Sequence, residues 1–233
     1  MKQIILTLGF SFFSAAVSAN MPLKVIDQFG EPVANAVISY QINTPAAIST
    51  ADVQAATQLS TQLPNQSSIQ TIAVMDQIDR KFQPHVLVVE QGQQVSFPNS
   101  DNIRHHVYSF SSPKAFEIKL YKGRSTEPVL FDNTGVVVLG CNIHDNMVGY
   151  IYVRGTETAL LTDQQGRVTL PDSPTEITVW HAGLSINNNL RKKVTIDHNK
   201  SASPLVLTLE LLAKPKQDKA NSGFKSKRFG KKY

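Results

Sequence analysis

The chain has 233 residues, a formal net charge of +5 and one cysteine. The charge is uneven, because residues 214–233 hold eight Lys or Arg against one Asp, whereas residues 20–213 hold 14 Lys or Arg against 17 Asp or Glu. A mildly acidic body with a basic end excludes a nucleic-acid-binding protein with a basic folded domain.

The N-terminus has the pattern of a secretory signal peptide, predicted over residues 1–19. Lys2 precedes a mostly apolar run over residues 4–17, and the small residues Val17, Ser18 and Ala19 form a cleavage site. An uncleaved membrane anchor is the alternative. No later run is long enough for a transmembrane helix, so we expect an exported protein of the periplasm without a transmembrane segment.

The next segment, residues 20–69, is predicted to form an N-terminal β segment. Short apolar runs at residues 23–26 and 33–40 indicate two strands separated by a turn. The polar stretch over residues 43–68 is predicted to be a loop, with a short helix at residues 51–59.

Strand patterns dominate residues 70–154. Short apolar segments recur about every ten residues between Gly and Pro, which is typical of an all-β sandwich or barrel. The predicted strands are residues 85–90, 95–97, 105–110, 136–140 and 149–153.

Residues 155–213 are predicted to form a C-terminal β segment. Residues 160–171 have the pattern of a hairpin, residues 175–181 alternate between apolar and polar, and residues 194–197 and 205–212 indicate two further strands. The basic residues 214–233 are predicted to be a solvated, disordered tail. Contact with an anionic membrane surface or with a partner is the alternative interpretation.

The only cysteine lies in a segment with three potential metal ligands. Cys141, His144 and Met147 have the spacing C-x2-H-x2-M, and His105 and His106 lie upstream. One of these two histidines together with the Cys, His and Met would complete the ligand set of a type 1 copper site. In an oxidising compartment a lone cysteine is unusual, and a metal-bound thiolate would explain it.

Residues 72–153 resemble the plastocyanin-like cupredoxins, and most of all the group often labelled methylamine utilization proteins, with an amicyanin-type short ligand loop. The matching residues are Phe82 to His85, Val89 to Gly92, Val95 to Asp101, His105 to Val107, Phe131 to Gly135, Gly140 to His144 and Met147 to Gly149. The resemblance implies a Greek-key β-sandwich and one type 1 copper ion held by His105, Cys141, His144 and Met147. In many cupredoxins a small polar residue follows the first His ligand, whereas this chain has His106.

The outer segments resemble a carboxypeptidase-regulatory-like (transthyretin-like) β-sandwich. The resemblance rests on residues 25–36, 162–171 and 179–180. It implies that residues 20–69 and 155–213 are the two parts of one small β-sandwich-like module, interrupted by the cupredoxin. The alternative is an N-terminal strand pair added to the cupredoxin and a separate C-terminal β module.

These patterns favour a periplasmic type 1 copper protein that carries single electrons between redox partners such as a periplasmic cytochrome c or a cytochrome-type peroxidase. The alternatives are a copper-handling or sensing module without electron turnover and a structural Zn²⁺ site, although the Met147 thioether argues against zinc. No hydrolase or nucleotide-binding motif is evident, so we expect no enzymatic activity and no nucleic-acid partner. We interpret His85, His181 and His198 as ordinary residues.

Overall fold

The computed structural model describes residues 20–42, 71–124, 127–171, 173–198 and 204–213. Within these ranges the secondary structure consists of β-strands and one short 3₁₀ helix, Ala182–Leu184, which confirms the all-β fold class. The strands are β1 Met21–Asp27, β2 Val37–Tyr40, β3 Ala73–Val74, β4 Asp76–Ile78, β5 Lys81–Gln83, β6 Val86–Glu90, β7 Gln93–Ser96, β8 His105–Ser111, β9 Lys114–Tyr121, β10 Val129–Phe131, β11 Gly135–Gly140, β12 Val148–Arg154, β13 Thr158–Leu161, β14 Arg167–Leu170, β15 Glu176–Trp180, β16 Arg191–Thr195 and β17 Leu205–Leu209.

A central sandwich is formed by a five-stranded sheet in the order β6-β12-β11-β8-β9 and a three-stranded sheet in the order β10-β7-β3. Side chains alternate along each strand, so one face of each sheet turns inward. The five-stranded sheet contributes Val107, Leu139 and Ile151 to the enclosed core, and the three-stranded sheet contributes Val95 and Phe131. This core supports the loop between β11 and β12.

A flanking sandwich is built from strands on both sides of the central sandwich in sequence. Its sheets have the orders β14-β1-β17 and β13-β2-β15-β16, so N-terminal strands pair with C-terminal ones. The parallel pairing of β1 with β17 aligns Leu23 with Leu205. The second, split β module predicted from the sequence is therefore present, whereas the domain limits at residues 69/70 and 154/155 stay predictions.

Strand β12 is buried on both faces because it lies between the two sandwiches. Ile151 points into the central core, whereas Tyr150 and Tyr152 join a separate cluster with Trp180 of β15 and Val37 of β2. The indole ring of Trp180 lies 5.5 Å from the ring of Tyr150 and 6.0 Å from that of Tyr152, centroid to centroid. The two sandwiches thus share an aromatic interface, which we call the junction cluster.

Several sequence predictions differ from the structure or lie outside it. Strand β9, an edge strand, was not predicted, although the alternation of its apolar residues with Lys and Glu is a local signal for a strand. The strand predicted at residues 194–197 corresponds to β16, which begins and ends at earlier residues, Arg191–Thr195. The signal peptide (1–19), the polar loop with its helix (51–59) and the basic tail (214–233) lie outside the described residues. No helix among the described residues is long and apolar enough to cross a bilayer.

Candidate metal centre

The segment with the lone cysteine is a tight loop at one end of the central sandwich. Strands β11 and β12 pair as far as Gly140 and Val148, so the seven residues 141–147 must reverse the chain. The loop is closed by a hydrogen bond from the Met147 N–H to the His144 carbonyl oxygen, at 3.0 Å. Three of the four predicted ligands are therefore held on one short, hydrogen-bonded connection.

The fourth predicted ligand, His105, comes from β8, the strand next to β11. The Cys141 Sγ lies 4.0 Å from the His105 Nδ1 and 3.7 Å from the His144 Nδ1. The three potential ligand atoms all lie within 4.8 Å of one another. The fold thus brings the His105 ring, 36 positions before Cys141 in sequence, to the same point as the Cys141 thiol and the His144 ring.

These distances fit a single bound metal ion. With a metal–sulfur bond of about 2.3 Å and a metal–nitrogen bond of about 2.0–2.1 Å, ligands about 120° apart bring S and N to about 3.8 Å. The observed separations of 3.7 and 4.0 Å bracket that value. A soft thiolate with two imidazoles suits copper or zinc better than a hard cation.

Met147 is buried in the same apolar cluster as Cys141. Phe97 and Leu139 belong to this cluster, so the cysteine side of the site is closed to water. His144 is only half-buried, and the neighbouring Ile143 has an exposed fraction of 48%. The site is therefore dry on its inner side and reaches solvent through the His144 edge.

The second ring nitrogen of His105 is bonded to a carboxylate. Its Nε2 lies 2.7 Å from the Asp101 Oδ2. Burial raises the pKa of Asp101, but hydrogen bonds from the Arg80 N–H, the His105 ring and the Asp79 N–H outweigh it and leave the pKa below its usual value. Asp101 is therefore a stable carboxylate behind His105.

The adjacent His106 faces the other way. Its Nε2 lies 2.8 Å from the Glu117 Oε1 on β9. The pairing of β8 with β9 shifts by one residue between His105 and Val107, a bulge that locally twists the strand. Of the two histidines, His105 is the one that the structure brings to Cys141.

Tyr121, at the end of β9, anchors the strand beside the site. Its hydroxyl donates to the Phe97 carbonyl oxygen at 2.5 Å and accepts from the Gln77 amide. Burial raises its pKa to about 12, against the effect of the Gln77 hydrogen bond, and the negative charges of Asp76 and Cys141 add to the rise. The phenol therefore stays neutral and links three strands around His105.

Asn99 and Asp101 have roles that sequence reasoning did not assign, although both belong to the motif that supports the resemblance. The buried Asn99 amide donates to the Ile103 and Tyr121 carbonyl oxygens, and its Oδ1 accepts the Asp101 N–H. These bonds shape the loop before β8. The spacing of a polar pair ahead of a ligand His was the signal that could have indicated such roles.

None of the three histidines interpreted as ordinary residues belongs to the group of potential ligand atoms. His85 packs edge-on against Tyr150, with ring centroids 5.3 Å apart, and His181 caps the 3₁₀ helix by accepting the Gly183 N–H. His198 is exposed. Among the described residues, His105, Cys141 and His144 are the only group of three or more His, Cys, Asp or Glu side chains whose potential ligand atoms lie around one point.

No family model matches the chain, and no curated protein matches it. Solved structures similar to part of it include a Cu-containing nitrite reductase from Thermus scotoductus SA-01, at 24% identity and a TM-score of 0.34 over 36% of this chain. A purple cupredoxin from Nitrosopumilus maritimus aligns at 20% identity and a TM-score of 0.32 over 35% of this chain and 99% of its own. The reduced Cu(I) form of an amicyanin mutant aligns at 19% identity and a TM-score of 0.32 over 40% of this chain and 87% of its own.

The chain spans 22% of the nitrite reductase. These alignments cover little more than a third of the chain at low TM-scores, so the fold described above rests on the chain's own strands and the site on its own side chains.

Proposed function

We propose that the chain binds one copper ion in a type 1 site and carries single electrons between redox proteins. The observation that carries the proposal is the convergence of His105, Cys141 and His144 on one point, with Met147 buried in the same apolar cluster as Cys141. Two imidazoles and a thiolate with a weak thioether are the ligands of blue copper. The assignment agrees with the resemblance to cupredoxins, including the group labelled methylamine utilization proteins.

The chain's residues would divide the work in the following way. His105, Cys141 and His144 would hold the ion, and the Met147 thioether would be a further, weaker donor. A bound copper ion would supply reversible one-electron oxidation and reduction. The pairing of β8, β11 and β12 would limit movement of these side chains between the two oxidation states, and this would favour rapid electron exchange.

The proposed exit for the electron is the half-buried edge of His144. Ile143 provides exposed apolar surface there, and small apolar contacts suit brief encounters between redox proteins. We propose an exported periplasmic location and a cytochrome c or a cytochrome-type peroxidase as the partner. The basic residues 214–233 would attract an acidic partner at low salt.

The proposal is tested by loading the purified mature chain with Cu(II). We expect an intense visible absorption band from charge transfer between the Cys141 thiolate and copper, and its loss in Cys141→Ser. Stopped-flow mixing with a reduced cytochrome c would then bleach the band. A wild-type copper complex without the band would contradict the type 1 site, and a band that no redox protein bleaches would favour the copper-handling function instead.

A further inference from the structure

The Nε2 atom of His105, which faces away from Cys141, contacts the carboxylate of Asp101. The His105 Nε2 to Asp101 Oδ2 distance is 2.7 Å, and the imidazole is fully buried. The Asp101 side chain is only 14% exposed, so water screens this pair weakly. The opposite ring nitrogen, Nδ1, is the one that lies 4.0 Å from the Cys141 Sγ.

The Asp101 carboxylate is itself held in place. Its Oδ1 accepts the Asp79 N–H at 2.7 Å, and its Oδ2 accepts the Arg80 N–H at 2.9 Å. Asp79 and Arg80 have φ values of 52° and 57°, a conformation that turns successive N–H groups towards one anion. The Asp101 N–H is bonded in turn to the Asn99 Oδ1 at 3.0 Å. The carboxylate cannot swing away from His105 without losing these bonds.

A carboxylate oxygen accepts hydrogen bonds, so the 2.7 Å contact with the Asp101 Oδ2 favours the His105 tautomer that carries its proton on Nε2. The lone pair is then on Nδ1, directed towards Cys141. We propose that Asp101 is a positioning residue that selects this tautomer of His105 and, by its fixed charge, makes the imidazole a stronger donor that favours Cu(II) over Cu(I). This inference rests on the proposed copper function.

The next residue provides a matched comparison in the same strand. His106 and Glu117 form a similar His–carboxylate pair at 2.8 Å, but Glu117 is 58% exposed and the pair lies on the other side of β8. Solvent screens an exposed charge, and His106 does not face Cys141. Glu117→Gln therefore removes one carboxylate from a histidine without touching the contacts of His105.

The first experiment uses the metal-free protein. A ¹H–¹⁵N correlation spectrum of the imidazole groups should show His105 with a slowly exchanging proton on Nε2 and no proton on Nδ1. Asp101→Ala should lose the slow exchange, whereas Glu117→Gln should keep it. A wild-type spectrum with the His105 proton on Nδ1 would overturn the proposal whether or not the protein binds copper.

The second experiment measures the reduction potential and copper affinity. Asp101→Asn should bind Cu(II) about 10–100-fold more weakly. Its ratio of Cu(II) to Cu(I) affinity should fall about tenfold, which is a rise of about 59 mV in potential for one electron. Asp101→Glu, which keeps the charge, should recover part of this loss, and Glu117→Gln should keep the wild-type potential.

A folded Asp101→Asn with the wild-type potential would overturn the proposal, while the wild-type absorption band would still support the copper site. Equal shifts in Asp101→Asn and Glu117→Gln would also overturn it, because general charge would then explain both. If Asp101→Asn does not fold, the wild-type imidazole spectrum tests the proposal by showing whether the His105 proton lies on Nε2. A wild-type chain without the band would contradict the copper function, and the metal-free spectrum would still test the tautomer.

Discussion

The side chains around the candidate site differ in how firmly the fold holds them. His105 is buried and bonded through its second nitrogen, whereas His144 is half-buried on the loop. Cys141 is buried, and its sulfur lies 4.0 Å from the His105 Nδ1 and 3.7 Å from the His144 Nδ1. One imidazole is thus part of the sheet and the other is accessible, an asymmetry that suits the proposed centre, which would hold a metal and also meet a partner.

Met147 is expected to tune the site rather than to create it. Met147→Gln should retain copper and have a lower reduction potential, because an oxygen donor favours Cu(II) more than a thioether does. Met147→Leu, which keeps an apolar side chain of similar volume, should shift the potential upward because the axial donor is lost. Voltammetry of the two variants checks the prediction, and an unchanged potential in both would remove Met147 from the coordination sphere.

At the scale of the elements, the hairpin β4–β5, the strand β8 and the end of β9 meet around His105. The hairpin supplies Asp79 and Arg80, whose N–H groups bind Asp101, and Gln77, which binds the Tyr121 hydroxyl. Tyr121 also pairs with His105 across the β8–β9 ladder. The β4–β5 hairpin and the end of β9, which contribute no candidate ligand, therefore help to set the position of His105.

The raised pKa of Tyr121 predicts a loss of stability in alkali. The folded-state pKa of Tyr121 is about 12 against an ordinary 10.0. The contribution of its neutral phenol to the free energy of unfolding is therefore complete below pH 10 and is lost as the pH rises towards 12. The free energy of unfolding should fall over this window, and Tyr121→Phe should show a shallower fall. Tyr108→Phe is the control, and urea titrations at pH 9 to 12 measure it. Equal slopes in wild type and Tyr121→Phe would contradict the prediction.

At the scale of the whole molecule, the junction cluster packs the two sandwiches against each other, so we expect them to unfold as one cooperative unit. Trp180 is buried against Tyr150 and Tyr152 of β12, and its indole N–H donates to the Asn188 carbonyl oxygen at 2.6 Å. The Arg191 guanidinium stands 4.9 Å above the Tyr152 ring. Because β12 begins directly after the loop of residues 141–147, the flanking sandwich supports the strand that holds the end of this loop.

Truncation of Trp180 should therefore destabilise the whole chain. Trp180→Ala removes a fully buried aromatic side chain, and we expect the free energy of unfolding to fall by about 3–5 kcal/mol. Phe110→Ala, at an aromatic side chain that is 87% exposed, is the control and should change it by less than about 1 kcal/mol. Urea unfolding followed by circular dichroism measures both. Similar losses in the two variants would show that the junction cluster adds no specific stability.

The sequence by itself determined the elements whose evidence is local. Strand alternation and turn residues indicated an all-β chain, and three potential ligands within seven residues indicated the metal loop. Both follow from short-range chemistry: side chains alternate along a strand, and a thiol, an imidazole and a thioether at this spacing form a soft donor set.

Only the tertiary structure decided the parts that depend on distant residues. Strand β1 pairs with β17 about 180 positions away, which no local pattern encodes. The sequence alone does not show which of the adjacent His105 and His106 lies near Cys141. The direction of each side chain follows from the pairing of β8 with β11 and β9. The anchoring of Asp101 likewise needs backbone N–H groups 21 and 22 residues upstream, brought within 2.9 Å by the hairpin. Contacts of this kind depend on register and packing between separate elements, and those exist only once the chain has folded.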